Sequence, residues 1–286
     1  MADAPAPNET PNPAPYAAAA RIKRTTIRDV QGFKERGERF AMLTSYDRQS
    51  AAIFDEAGIP LLLVGDSAGN NVLAYDDTLP VTVEELLPLC RAVVRGAPHA
   101  MVIADLPFGS YQESPEQALR TSVRFVKETG VQAVKLEGGV GLVPAVRMIV
   151  AAGIPVMAHI GFTPQSLHAF GGYRIQGRGE DGDQLCRDAL ALAEAGAFCV
   201  VLEMVPAEVG ARITQAIPIP TIGIGAGPTC DGQVLVWQDM AGLSPKPTPK
   251  LVKAYADLRT VLRDAASAYA AEVRDGTFPG PEHSYS

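Results

Sequence analysis

The chain has 286 residues, of which 47% are hydrophobic and 20% charged, with a formal net charge of −7. That composition is of the soluble globular kind, long enough for a sizeable core. The negative balance argues against a nucleic-acid or anionic-membrane surface, and no apolar run approaches the roughly 20 residues that span a bilayer, so a soluble protein is expected.

Residues 1–23, opening MADAPAPNETPNPAPYAAAA, mix Pro, Ala and polar residues without the early positive charge or apolar core of a signal sequence, and read as a flexible tail. FAMLTSYD (40–47) reads as a first strand. A phrase then repeats: EAGIPLLLVGDS (56–67), RGAPHAMVIADLP (95–107), ETGVQAVKLEGG (128–139), AAGIPVMAHIG (151–161) and EAGAFCVVLEM (194–204) each place a Gly before an apolar run. The Gly follows a stretch of helical character, such as VTVEELLPLCRAVVR (81–95) or DQLCRDALALAEA (183–195). The pattern spells helix, capping glycine, short turn, parallel strand. TIGIGAG (221–227) is a further strand and VLVWQDM (234–240) a weaker eighth. Strands alternating with helices, with no evident boundary between residues 24 and 275, favour a single α/β domain built as a (β/α)8 barrel over an open doubly wound sheet. PKLVKAYADLRTVLRDAASAYAAEV (249–273) reads as an amphipathic helix that closes the barrel or meets another subunit, and residues 276–286 as a C-terminal tail.

Within VQAVKLEGG (131–139), Lys135 and Glu137 interrupt a strand that otherwise looks buried. Alternation sends both to one face and Val134 and Leu136 to the other. Buried charges need partners, a metal or a site. The other repeats supply company, because Asp66 with Ser67, Asp105, His159 and Glu203 stand at the same place in their own strands, six to nine residues after the Gly. In a barrel these C-terminal strand ends converge on the face where active sites are built. Two Asp, a nearby Glu and no soft ligands point to a hard cation such as Mg²⁺. Lys135 then offers positive charge to a substrate carboxylate, and His159 or Glu203 a place to move a proton. The competing readings are local ones: Asp66 and Asp105 as helix caps, Glu203 as a paired structural carboxylate, His159 as a satisfied barrel histidine. His99 and His283 lie away from the strand ends, and His168 sits in a loop and stays open.

Other features carry less. Cys90, Cys186, Cys199 and Cys230 are scattered without metal-ligand spacing, so neither a zinc site nor a disulfide framework is expected, which suits a reducing cytoplasm. IGIGAGP (222–228) fails the dinucleotide pattern at Pro228. The loop FTPQSLHAFGGYRIQGRG (162–179), with Arg174 and Arg178, is long for its place and suits a lid or binding loop.

Taken in order, LLLVGDSAGN, VIADLPFGSY, AVKLEGG, PVMAHIGFTPQS followed by GGYRIQGR, and IGIGAGPTCDGQVLVWQDM resemble ketopantoate hydroxymethyltransferases over nearly the whole folded chain. The resemblance implies a barrel of the phosphoenolpyruvate/pyruvate type, assembled as a homodecamer. It implies transfer of a hydroxymethyl group from 5,10-methylenetetrahydrofolate to 3-methyl-2-oxobutanoate, giving 2-dehydropantoate on the way to pantothenate and coenzyme A. By motif it places metal ligands at Asp66 and Asp105 with Glu137 close by, substrate contacts at Asp66, Ser67, Asp105 and Lys135, the proton acceptor at Glu203, and an active-site histidine at His159. One segment departs: after GDS the chain reads AGNNVLAYDDT, where the family more often has bulkier apolar residues and a Gly before the Tyr.

The implied chemistry fits the residues. A 2-oxo acid chelates Mg²⁺, which stabilises the enolate formed when C3 loses its proton, and that carbon attacks the one-carbon unit, with a closing loop keeping water from the reactive carbon. Another Mg²⁺-dependent oxo-acid lyase or mutase of this architecture is the first rival, although its KKCGH-type segment is absent. A non-catalytic oxo-acid-binding barrel is the second.

Overall fold

The computed structural model describes residues 23–285, so the expected N-terminal tail lies, apart from Lys23, outside the described residues. Its strands are Phe40–Thr44 (β1), Leu61–Val64 (β2), Met101–Asp105 (β3), Ala133–Glu137 (β4), Val156–Gly161 (β5), Cys199–Glu203 (β6), Thr221–Ile224 (β7) and Gly232–Leu235 (β8). They pair in parallel in chain order, and β8 returns to β1 with Phe40 opposite Gly232. The fold is the closed (β/α)8 barrel, and the open sheet is excluded.

The repeated phrases become strands because helices are started and stopped around them. Thr82 and Glu85 form a reciprocal capping box ahead of helix Val83–Gly96, and Ser114 accepts from the Gln117 backbone N–H ahead of helix Pro115–Thr129, which Gly130 closes. Alternation along each strand then sorts its side chains. Leu62, Val102, Val134, Ala158 and Val200 face outward, where they join helix residues such as Leu86, Phe125, Ile149 and Leu192 in one buried cluster. Leu61, Leu63, Met101, Ile103, Ala133, Met157, Cys199, Val201 and Ile222 fill the barrel interior. Lys135 and Glu137 continue the inward row begun by Ala133, so the charges that break the apolar run point into the barrel.

The first and seventh strands end sooner than expected, at Thr44 and Ile224, and two later boundaries shift further. The eighth strand starts earlier, at Gly232, and Trp237–Met240 forms a helical turn. The C-terminal helix spans Leu258–Asp275, because Asp257 caps it through the Thr260 backbone N–H while Tyr255 N and Leu258 N donate to the Met240 and Ala241 carbonyls and hold the preceding chain out of helix. None of this helix's side chains is buried, and Leu262, Tyr269 and Val273 leave an apolar stripe exposed. Residues 225–231 link β7 to β8 without a helix, and these two strands meet over two residue pairs, against five for β5 and β6. At the other end, Phe278 packs on Tyr269 with ring centroids 5.5 Å apart. Among the described residues, no helix is long and apolar enough to cross a membrane.

Candidate active site

Strand register gathers the expected residues at one rim. Asp105 lies opposite Lys135, Glu137 opposite His159, and Gly161 opposite Glu203, so β3, β4, β5 and β6 deliver their last inward side chains side by side. Asp66 joins from the end of β2, where its backbone N–H donates to Asp105 Oδ2 at 3.0 Å. That close approach depends on Gly65, since a Cβ there would stand 2.7 Å from Ser67 Oγ and 3.3 Å from Asp105 Oδ2. Ser67 in turn shares a 2.8 Å hydrogen bond with the buried Tyr46 hydroxyl.

Asp66, Asp105, Lys135, Glu137 and His159 are all buried. The Lys135 ammonium donates to Asp105 Oδ1 and lies 3.5 Å from Glu137 Oε1. Burial disfavours its charge, but the surrounding Asp105, Glu137 and Asp66 carboxylates outweigh that and raise its pKa. Asp66 is pushed well above the carboxylate range by burial and then by the like charges of Asp105 and Glu137. Burial also lifts Asp105, against the pull of Lys135. Glu137 goes the other way: burial would raise it, but the charges of His159 and Lys135 hold it below the usual value.

His159 lies between two carboxylates, with Nδ1 3.3 Å from Glu137 Oε1 and Nε2 3.4 Å from Glu203 Oε2. Among the described residues neither nitrogen makes a well-aligned hydrogen bond, so these are mainly charge contacts. Burial and Lys135 lower its pKa, yet the two glutamates win and lift it to about 9. Glu203 is the most open member, with 19% of its side chain exposed against 3% for His159. Its backbone is tightly held. The Phe162 N–H donates to the Glu203 carbonyl at 2.8 Å, and a Cβ at Gly161, whose φ is +94°, would come within 2.4 Å of that oxygen. Met204 follows in the left-handed region at φ 48°, its N–H donating to the Ile224 carbonyl.

The carboxylates surround Lys135 instead of converging on one point, and among the described residues no three His, Cys, Asp or Glu form a ready metal cluster. The donor set still suits a hard cation. Every candidate ligand is an oxygen, and Glu137 Oε1 is buried without a hydrogen-bond partner. Of the described residues here, Asp66, Asp105 and Glu137 carry the oxygens that could serve such an ion.

Two residues absent from the sequence expectation belong to this centre. Gln165 is buried against Asp66 and Glu137, and Tyr111 is buried against Gln165. The other histidines stay outside it: His99 pairs with Asp55 before β3, His283 packs on Phe278, and His168, left open by the sequence, is exposed on the turn Leu167–Phe170. Arg174 and Arg178 are exposed on the loop after β5. In the departing segment, Ala74 adopts φ 61°, so the alanine before Tyr75 takes a left-handed conformation that costs it about 1–2 kcal/mol and a glycine almost nothing.

Comparison with known proteins bears on the family and the fold. A sequence model of the family described as ketopantoate hydroxymethyltransferase matches residues 24–281. A 3-methyl-2-oxobutanoate hydroxymethyltransferase of Frankia alni is 63% identical over 280 residues, covering 98% of this chain and 90% of its own. One from Acidothermus cellulolyticus is 65% identical over 269 residues, covering 94% and 99%. Among solved structures, a phosphonopyruvate hydrolase in complex with oxalate and Mg²⁺ superposes with a TM-score of 0.58 at 14% identity, over 90% of this chain and 92% of that one. A 2,3-dimethylmalate lyase gives a TM-score of 0.54 at 18% identity, over 90% and 92%. The distant structures share the barrel; the sequence relatives share nearly the whole chain with it, and on that evidence the chain belongs to the ketopantoate hydroxymethyltransferase family, whose members are enzymes.

Proposed function

We propose that this enzyme, with residues 24–275 as one catalytic unit, transfers a hydroxymethyl group from 5,10-methylenetetrahydrofolate to 3-methyl-2-oxobutanoate, giving 2-dehydropantoate and tetrahydrofolate with consumption of one water. The observation that carries the reading is the rim itself, where an acidic pair and Lys135 lie on one side and a more open Glu203 on the other. Asp66 and Asp105, with Glu137 beside them, would hold Mg²⁺, which when bound polarises the keto and carboxylate oxygens of an oxo acid. The phosphonopyruvate hydrolase solved with Mg²⁺ and oxalate makes that ion the first to test.

The remaining roles belong to the chain's own side chains. Lys135 and Ser67 face the substrate's anionic end, and Lys135 supplies the positive charge there. Glu203 takes the C3 proton; the C–H electron pair is then free to form the bond to the one-carbon unit. His159, more deeply buried and set between Glu137 and Glu203, holds positive charge next to the base and steadies it. The loop after β5 covers the rim and limits water at the reacting carbon. Four cysteines without disulfides suit a cytoplasmic setting.

Purified protein given 3-methyl-2-oxobutanoate, 5,10-methylenetetrahydrofolate and Mg²⁺ should form 2-dehydropantoate. In deuterated buffer with Mg²⁺ it should also exchange the C3 proton. No product, or product that forms equally well without the folate, would reject the assignment.

We also propose a homo-oligomer larger than a dimer, built of ten subunits. The exposed stripe of Leu262, Tyr269 and Val273 supports association, because a helix with no buried side chain has little to hold it to its own barrel. Light scattering at micromolar concentration should report that assembly. A monomer would refute it.

A further inference from the structure

The loop after β5 reaches into the acidic centre through one residue. Gln165 is 6% exposed and sits in the tight turn Pro164–Ser166. Its backbone N–H donates to Glu137 Oε2 at 3.0 Å. Its side-chain Nε2 donates to Asp66 Oδ2 at 2.8 Å and to the Leu106 carbonyl at 3.0 Å. Its Oε1 accepts from the Tyr111 hydroxyl at 2.6 Å and from Gln112 Nε2 at 3.1 Å.

A primary amide has two donor hydrogens and one oxygen with two lone pairs, and every one of them is used here. The orientation is forced. Tyr111 accepts the Glu137 backbone N–H at 3.1 Å, and its own proton has two acceptors in reach, the Gln165 oxygen at 2.6 Å and, more distant, the Glu137 carbonyl at 3.2 Å. Turning the amide over would set that oxygen against the Asp66 carboxylate and the Leu106 carbonyl, and set the NH2 group against the Gln112 donor. Gln165 thus presents N–H to Asp66, whose carboxylate accepts no other side-chain hydrogen bond among the described residues.

The same loop then runs on to the end of β6. Phe170 and Tyr173 pack on Phe162 with centroids 5.7 and 5.1 Å apart, and the Gln176 N–H donates to the Met204 carbonyl, next to Glu203. A single segment is therefore tied to the acidic half of the site at one end and to the strand of the base at the other.

We propose that Gln165 is a positioning residue: with its amide held by Tyr111, Gln112 and the Leu106 carbonyl, it sets the Asp66 carboxylate for cation binding and couples that centre to the order of the loop after β5. This rests on the reading of Asp66 as a cation ligand, and the test separates the two. Mn²⁺ affinity is measured by electron paramagnetic resonance on the full-length protein without substrate, together with melting temperature and hydrogen exchange of residues 163–176 with and without Mg²⁺. Outer partners of metal ligands typically contribute about 10–100-fold in affinity.

Gln165→Met, of equal length but without polar side-chain hydrogens, should bind Mn²⁺ about 10–100-fold more weakly while remaining folded. It should also lose the metal-dependent protection of the loop that the parent shows. Tyr111→Phe, which keeps the ring and removes the shorter of the two hydrogen bonds to the Gln165 oxygen, should weaken Mn²⁺ binding in the same direction by a smaller factor, and the double variant should lose less than the two single effects combined. Parent-like affinity in folded Gln165→Met overturns the proposal, as does parent-like affinity in Tyr111→Phe if Gln165→Met does not fold. A parent protein that binds no Mn²⁺ overturns the ligand reading, and the proposal with it.

Discussion

Glu203→Gln should keep the fold and the binding of Mg²⁺ and 3-methyl-2-oxobutanoate, yet slow exchange of the C3 proton into deuterated solvent by about 10²–10⁴-fold, the usual contribution of one acid–base group. The substitution keeps the side chain's shape and removes its ability to take a proton. It leaves the backbone anchors at Gly161 and Phe162 intact, so the strand end has no reason to move. A structural carboxylate would behave differently, with a lower melting temperature and weakened binding accompanying any loss of rate. Exchange at the parent rate in a stable variant would move the proton transfer elsewhere, and His159, 3.4 Å away, is the next group to replace.

The second large effect falls on the metal, and the choice of variant matters. Asp105→Ala would leave the buried Lys135 without the carboxylate it donates to, and breaking a buried pair from one side costs about 3–5 kcal/mol, so lost activity there would be hard to separate from lost structure. Asp66→Asn is the cleaner change. An asparagine oxygen can still accept from Gln165 Nε2, and a neutral side chain removes repulsion that Asp66 suffers from Asp105 and Glu137. The variant should therefore melt at or above the parent temperature while binding Mg²⁺ by calorimetry about 100-fold more weakly or worse, beyond the 10–100-fold typical of an outer partner. Unchanged Mg²⁺ affinity would remove Asp66 from the ligand set.

Much of this site could be read before any coordinates, because its members obey a strict geometric rule. Lys135 and Glu137 are two residues apart in a strand, so they had to share a face, and the glycine-led repeats marked where each strand would end. Gln165 obeys no such rule. It lies in a loop, where no periodicity predicts direction, and its importance comes from contacts with Asp66 and Glu137, 99 and 28 residues away in the chain. Tyr111 is similar, since its partners are chosen by tertiary packing. The start of the C-terminal helix was obscured for another reason: the hydrophobic pattern runs on through residues 249–257, but backbone hydrogen bonds to Met240 and Ala241 claim that stretch for a turn. At Ala74 the departure from the family pattern was visible in the sequence, but its left-handed backbone, a conformation that favours glycine, was not.

The short contact between β7 and β8 bears on how the barrel comes apart. A closed barrel has no sheet edges, and the cheapest way to create them is to unzip the seam with the least pairing and the thinnest cover. Here that seam has two residue pairs and no helix laid across the link between its strands. Opening there would bare the edges of β7 and β8 while the pairings from β2 to β6, which carry every charged residue of the rim, stay closed. The first partly unfolded form of this enzyme would then keep its acidic centre and offer two strand edges to whatever chain it meets.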